Sequence, residues 1–211
     1  MESVDYLTPE VLRLIGNVRG KRVLELGMAK EALSATLAIR GATSILIEES
    51  QARISELKLA QETSDPRFEI RHNELADLAF CPAESVDLAV SVISLSGTKD
   101  IARVFRQLQR VLKDQGLLVF GVIHPLALWP ANWTETNATI PYGTKQMING
   151  SLLNGNYPFP LPEKVNIPSF SETFSLLKRS GYTIDQILEL PTSINDTEPN
   201  TPKVLLFKAH K

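Results

Sequence analysis

The stretch Lys21-Arg22-Val23-Leu24-Glu25-Leu26-Gly27-Met28-Ala29-Lys30-Glu31 constrains this chain most. A short apolar run carrying one acid stops at a glycine, and a helix-competent segment follows at once. A doubly wound sheet presents its first strand-to-helix turn to a nucleotide-like ligand in this way. Only the first glycine of a G-x-G-x-G turn is present, because Ala29 and Glu31 stand at the second and third positions.

The rhythm set by that turn runs through the first 123 residues. Thr8-Pro9-Glu10 opens a helix whose apolar face is Val11, Leu12, Leu14 and Ile15. Strands are predicted over 23–26, 44–47, 68–71, 86–93 and 117–123. Helices are predicted between them over 30–40, 50–62 and 101–112. Leu117 to Ile123 is nearly all apolar, as a strand covered on both faces must be. Alternating strands and helices imply a parallel sheet with right-handed crossovers. Residues 124–168 break the rhythm with seven of the thirteen prolines and both tryptophans, and read as an insertion after the fifth strand. A helix then starts at Ser169, and strands 182–190 and 204–210 follow with no crossover helix between them. That last pair is expected to be antiparallel. The whole, 1–211, reads as a single domain carrying that insertion.

Composition narrows the function classes. A net charge of -2 argues against nucleic-acid partners. Arg103, Arg106 and Arg110 mark one helix face, read as solvated. The single cysteine, Cys81, excludes an internal disulfide and fits a reducing, cytoplasmic setting. His72, His124 and His210 have no metal-ligand spacing, so no metal is expected. No apolar run nears the ~20 residues of a membrane span, and the acidic start, Met1-Glu2-Ser3-Val4-Asp5, lacks an export core.

Local segments add a resemblance. Val23-Leu24-Glu25-Leu26-Gly27 resembles the first motif of the class I S-adenosylmethionine-dependent methyltransferases, V-L-D/E-x-G-x-G-x-G. Ile45-Leu46-Ile47-Glu48 resembles their second strand, whose last acid binds ribose hydroxyls. Glu74 to Phe80 with Ser85 to Ser91 resembles the segment D-A-x-D-L-P-F…S-F-D-L-V-x-S, and Arg110 to Gly116 resembles R-V-L-K-P-G-G. Ile123-His124-Pro125 and Pro168 to Tyr182 are similar to segments of small-molecule members. The resemblance implies a Rossmann-like doubly wound seven-stranded α/β sheet, mostly parallel, closed by the antiparallel C-terminal hairpin. It also implies S-adenosylmethionine as cofactor and a small metabolite as acceptor.

Carried over residue by residue, it places Glu25, Gly27, Ala29, Glu48, Glu74, Leu75 and Ser91 at the cofactor. Ala29 puts a methyl group where backbone would approach the ligand. Glu31 brings a charge that would cost about 1–4 kcal/mol beside a carboxylate at ~4 Å, and strain if positive φ is required there. These departures keep an alternative open: a methyltransferase-like protein without methyl transfer, serving as a binding or scaffold subunit or using a repurposed pocket. His124 follows the fifth strand and is the candidate catalytic base. Trp129, Trp133 and Tyr142 are candidates for the wall of the substrate pocket. Ser91-Val92-Ile93-Ser94 replaces the Asn-Pro-Pro-Tyr-like tetrapeptide of base and glutamine methylation, which points away from both. A homodimer or a partner protein stays open.

Overall fold

The computed structural model describes residues 7–63, 68–128, 142, 144–153, 157, 160–190 and 202–211. The strands are β1 (Arg22–Leu26), β2 (Thr43–Glu48), β3 (Glu69–His72), β4 (Val86–Ser91), β5 (Leu112–Ile123), β6 (Thr144–Asn149), β7 (Lys164–Ile167), β8 (Thr183–Leu190) and β9 (Val204–His210). The helices are α1 (Leu7–Ile15), α2 (Leu33–Ile39), α3 (Gln51–Thr63), α4 (Ile101–Val111) and α5 (Phe170–Arg179).

Seven strands form one sheet in the order β3-β2-β1-β4-β5-β9-β8. The first five run parallel, and β9 pairs antiparallel with both β5 and β8. The expected α/β architecture and the antiparallel closing pair are both found. The strand order reverses between β1 and β4, which opens a crevice beyond their carboxyl ends. On one face of the sheet, α4 and α5 cover a core in which Phe120 stacks on Phe207 at 5.0 Å between ring centres. Leu7, Val11, Leu14 and Ile15 of α1 bury on the other face, with Leu33 and Leu37 of α2. Asp100 caps α4 by accepting the Arg103 N–H at 2.9 Å, and Ser169 with Glu172 forms a capping box at the start of α5.

Several boundaries differ from the sequence expectations. Helix α2 starts at Leu33 rather than Lys30, leaving 27–32 as a loop. Strand β4 ends at Ser91, and Ser94–Gly97 is a 3-10 turn. Strand β5 starts at Leu112, with a register irregularity between Val86 and Leu88. Arg110 is not a solvated charge: its guanidinium donates to the Leu78 and Cys81 carbonyls at 2.7 and 2.8 Å. The described part of 124–168 contains regular structure. Strands β6 and β7 pair antiparallel, with Val165 and Ile167 fully buried. Gly97 approaches Pro162 so closely that an added Cβ would lie 3.1 Å from its ring, so this segment is seated on the turn after β4. No helix among the described residues is long and apolar enough to cross a membrane.

Candidate functional site

The cleft lies where the strand order reverses. Strand β1 delivers Gly27 at φ +62°, a left-handed conformation that favours glycine. Its N–H donates to the Ile47 carbonyl at 2.7 Å, tying the turn to β2. A Cβ here would overlap the Ser94 side chain, so the close approach of β1 and the turn after β4 also demands glycine. Beneath the loop, the fully buried Glu25 accepts the Leu33 and Ser34 amides at 2.9 and 2.6 Å. One side chain thus anchors the far end of 27–32 and places a carboxyl at the positive end of α2. Burial raises the Glu25 pKa to about 7. The hydrogen bonds from Ser34 and Leu33 oppose that rise, and the nearby charge of Glu48 adds to it.

Strand β2 ends in Glu48, only 5% exposed. Its Oε1 accepts the Ser50 N–H at 2.9 Å, and its Oε2 accepts the Met28 N–H at 3.3 Å. Arg53, in the first turn of α3, brings Nη1 to 3.5 Å from Oε2. Its Nη2 donates to the Met28 carbonyl at 2.8 Å and also to the Ala29 carbonyl. On the neighbouring wall, Glu49 Oε1 accepts the Leu75 N–H at 2.9 Å. The space enclosed by these groups, Ser94 and the segment Pro160–Pro162 is about 220 Å³.

Of the residues expected at a cofactor, Gly27, Glu48 and Leu75 line this cleft. Glu25 acts from below. Ala29 is buried beside it and contributes its carbonyl to Arg53. Neither Ala29 nor Glu31 has positive φ, so the backbone strain expected there does not arise, and Glu31 is exposed and outside the cleft lining. Glu74 is exposed and outside the lining. Ser91 is buried, donating its hydroxyl to the Leu26 carbonyl at 2.9 Å. It joins the ends of β4 and β1 and is not among the residues lining the cleft.

His124 is 4% exposed and turned toward β8 and β9. The Leu126 amide donates to its Nδ1 at 3.0 Å, which leaves the ring proton on Nε2, donated to Glu189 Oε1 at 3.0 Å. Burial lowers its pKa, Glu189 opposes the fall and Lys203 adds to it. It does not line the cleft and has no free lone pair. Trp129 and Trp133 lie outside the described residues. Tyr142 is 47% exposed and not in the cleft lining. Sequence reasoning missed Glu49, Arg53, Ser94 and the proline-rich roof. Arg53 has a readable trace, five places beyond the terminal acid of β2, which puts it in the first turn of the next helix.

Comparison with known proteins agrees with this geometry. Residues 24–120 match the model of a family described as a methyltransferase domain. A ubiquinone biosynthesis O-methyltransferase of Pseudomonas syringae pv. tomato is 32% identical over 108 residues, covering 51% of this chain and 47% of that one. The chain thus spans about half the length of the curated relatives it matches. Among solved structures, an S-adenosylmethionine dependent methyltransferase from Mesorhizobium loti superposes with a TM-score of 0.72 at 21% identity over 96% of each chain. A Burkholderia thailandensis 1,6-didemethyltoxoflavin-N1-methyltransferase, with its substrate and S-adenosylhomocysteine bound, gives a TM-score of 0.66 at 13% identity, covering 98% of this chain and 77% of that one.

Proposed function

We propose that this chain, whose residues 24–120 match a family described as a methyltransferase domain and whose fold is that of S-adenosylmethionine-dependent methyltransferases, moves a methyl group from S-adenosylmethionine to a small acceptor. The observation that carries this reading is the cleft at the strand-order reversal. There Gly27, a glycine at which any side chain would be strained, lies beside a buried acid at the tip of β2, Glu48. Its residues fit the cofactor: a carboxylate for paired hydroxyls in Glu48, an amide donor in Leu75, and loop carbonyls for an ammonium. When bound, the cofactor supplies a methyl group made electrophilic by its sulfonium.

The chain's own part is to bind and align. Glu25 fixes the loop, Glu48 holds hydroxyls and the Pro160–Pro162 roof limits water. In-line displacement draws most of its rate from such positioning. A hydroxyl acceptor is favoured because the Pseudomonas relative is named an O-methyltransferase. Trp129, Trp133 and Tyr142 remain the proposed acceptor contacts. His124 would serve as base only after giving up Glu189 or Leu126, so the proposal assigns no proton transfer to it. A reducing compartment such as the cytoplasm is the proposed setting, supported by the free Cys81.

The test is an assay of S-adenosylhomocysteine release over a panel of small phenols, catechols, amines and carboxylic acids. The reading expects acceptor-dependent turnover with an oxygen acceptor. Tight cofactor binding with no turnover on any acceptor would overturn the enzyme assignment.

A further inference from the structure

We propose that Arg53 and Glu49 are internal occupants of the cofactor cleft, and that a ligand enters only by displacing them. The inference rests on the methyltransferase reading and concerns the regulation of that same cleft.

Four groups suited to hold a ligand are already engaged. The Glu48 carboxylate faces the Arg53 guanidinium at 3.5 Å. The Met28 and Ala29 carbonyls accept from Arg53 Nη2. The Leu75 amide donates to Glu49 at 2.9 Å. With these side chains in place, the cleft holds about 220 Å³, below the ~300–1,000 Å³ of sites for small ligands.

Both occupants have somewhere to go. The Arg53 side chain is 32% exposed while its partner Glu48 is 7% exposed, and Glu49 lies at the surface. Rotation into water therefore rehydrates the arginine at small cost. Glu48 stays behind, buried, with only the Met28 and Ser50 amides. A buried carboxylate stripped of a charged partner is costly. Arg53 therefore leaves only for a ligand that brings replacement donors to Glu48, such as two adjacent hydroxyls. Arg53 and Glu49 tax every binding event by the fraction of molecules in which the cleft is closed.

Glu49 reinforces the effect. Its carboxylate occupies an amide that a heteroaromatic acceptor nitrogen would otherwise take, and it lies next to Glu48 in sequence. Without Arg53 the cleft would hold two adjacent carboxylates and no cation among its lining residues. The arginine thus also balances charge in the closed form.

The experiment is a calorimetric titration of S-adenosylhomocysteine into wild type, Arg53→Ala, Arg53→Lys and Glu49→Ala. Each protein is checked by circular dichroism and thermal melting without ligand. The displacement account predicts a Kd about 5- to 30-fold tighter for Arg53→Ala, or about 1–2 kcal/mol at 1.4 kcal/mol per decade, with a lower melting temperature in the free protein. Arg53→Lys keeps the charge but cannot fork across three acceptors, so its Kd falls between the two. Glu49→Ala also binds more tightly than wild type. If wild type binds and the folded Arg53 variants bind equally or more weakly, the arginine helps hold the ligand and the inference is overturned while the methyltransferase reading stands. If no variant binds at millimolar ligand, that reading falls and the inference with it. Should Arg53→Ala fail to fold, Arg53→Lys and Glu49→Ala decide the matter by the direction of their shifts.

Discussion

Replacing Gly27 by alanine brings together two separate physical costs. The backbone there sits at φ +62°, where an L-residue pays about 1–2 kcal/mol. The new Cβ would also overlap the Ser94 side chain, whose hydroxyl donates to the Met28 carbonyl at 3.4 Å, and overpacking of this kind costs about 1–3 kcal/mol. Together they predict a loss of about 2–5 kcal/mol, which for a chain of this length lowers the melting midpoint by roughly 4–20 °C. The two parts can be separated by a double-mutant cycle with Ser94→Gly, measured by urea denaturation. Removing the Ser94 side chain clears the overlap but leaves the φ cost, so about 1–3 kcal/mol of the loss should return in the double variant. A Gly27→Ala protein within about 1 kcal/mol of wild type would refute the reasoning. So would additivity of the two substitutions within about 0.5 kcal/mol, because the steric claim requires coupling.

Three further outcomes are expected. The Glu25 pKa, about 7 in the fold against 4.5 when unfolded, makes the folded state hold its proton to higher pH. This group therefore lowers stability as pH rises from about 4.5 to 7, by about 3 kcal/mol in all. His124, with its pKa lowered, acts oppositely, losing stability as pH falls below 6.5. Its effect is common to both proteins when wild type is compared with Glu25→Gln, so their difference in urea stability should change by about 3 kcal/mol across that window; parallel profiles would contradict the assignment. Gly121→Ala would press a Cβ of β5 into the Val92 backbone carbonyl, one residue past the end of β4. The overlapped atom is backbone and the segment must shift, so a cost of about 2–3 kcal/mol and a melting midpoint lower by roughly 4–12 °C are expected. Ser169→Ala removes the N-cap of α5 and should cost about 1 kcal/mol in the same assay.

Much of the frame was readable because its signals are local. Val23–Leu26, Ile45–Ile47 and Leu117–Ile123 are apolar runs that only buried strands accommodate. Gly27 announces a turn where β1 must stop. Glu48, at the end of such a run, had to sit at the carboxyl edge of the sheet. What was hidden depends on contacts between distant residues. The start of α2 was misplaced because the amides of Leu33 and Ser34 are satisfied by Glu25, from inside the preceding strand. The strain expected at Glu31 assumed that its backbone repeats a glycine conformation, which it does not. His124 sits at the expected edge, yet Glu189 on β8, 65 residues away, takes its ring proton. The β6–β7 pair was missed because its strands are short, weakly alternating and separated by a proline-bearing connection.

The most direct test of the central claim is a calorimetric titration of S-adenosylhomocysteine into wild type and Glu48→Ala. The account predicts saturable binding of one ligand per chain, weakened at least tenfold by Glu48→Ala in a protein that still melts cooperatively. Absence of saturable binding to wild type at millimolar ligand, or equal affinity in the two proteins, would contradict it.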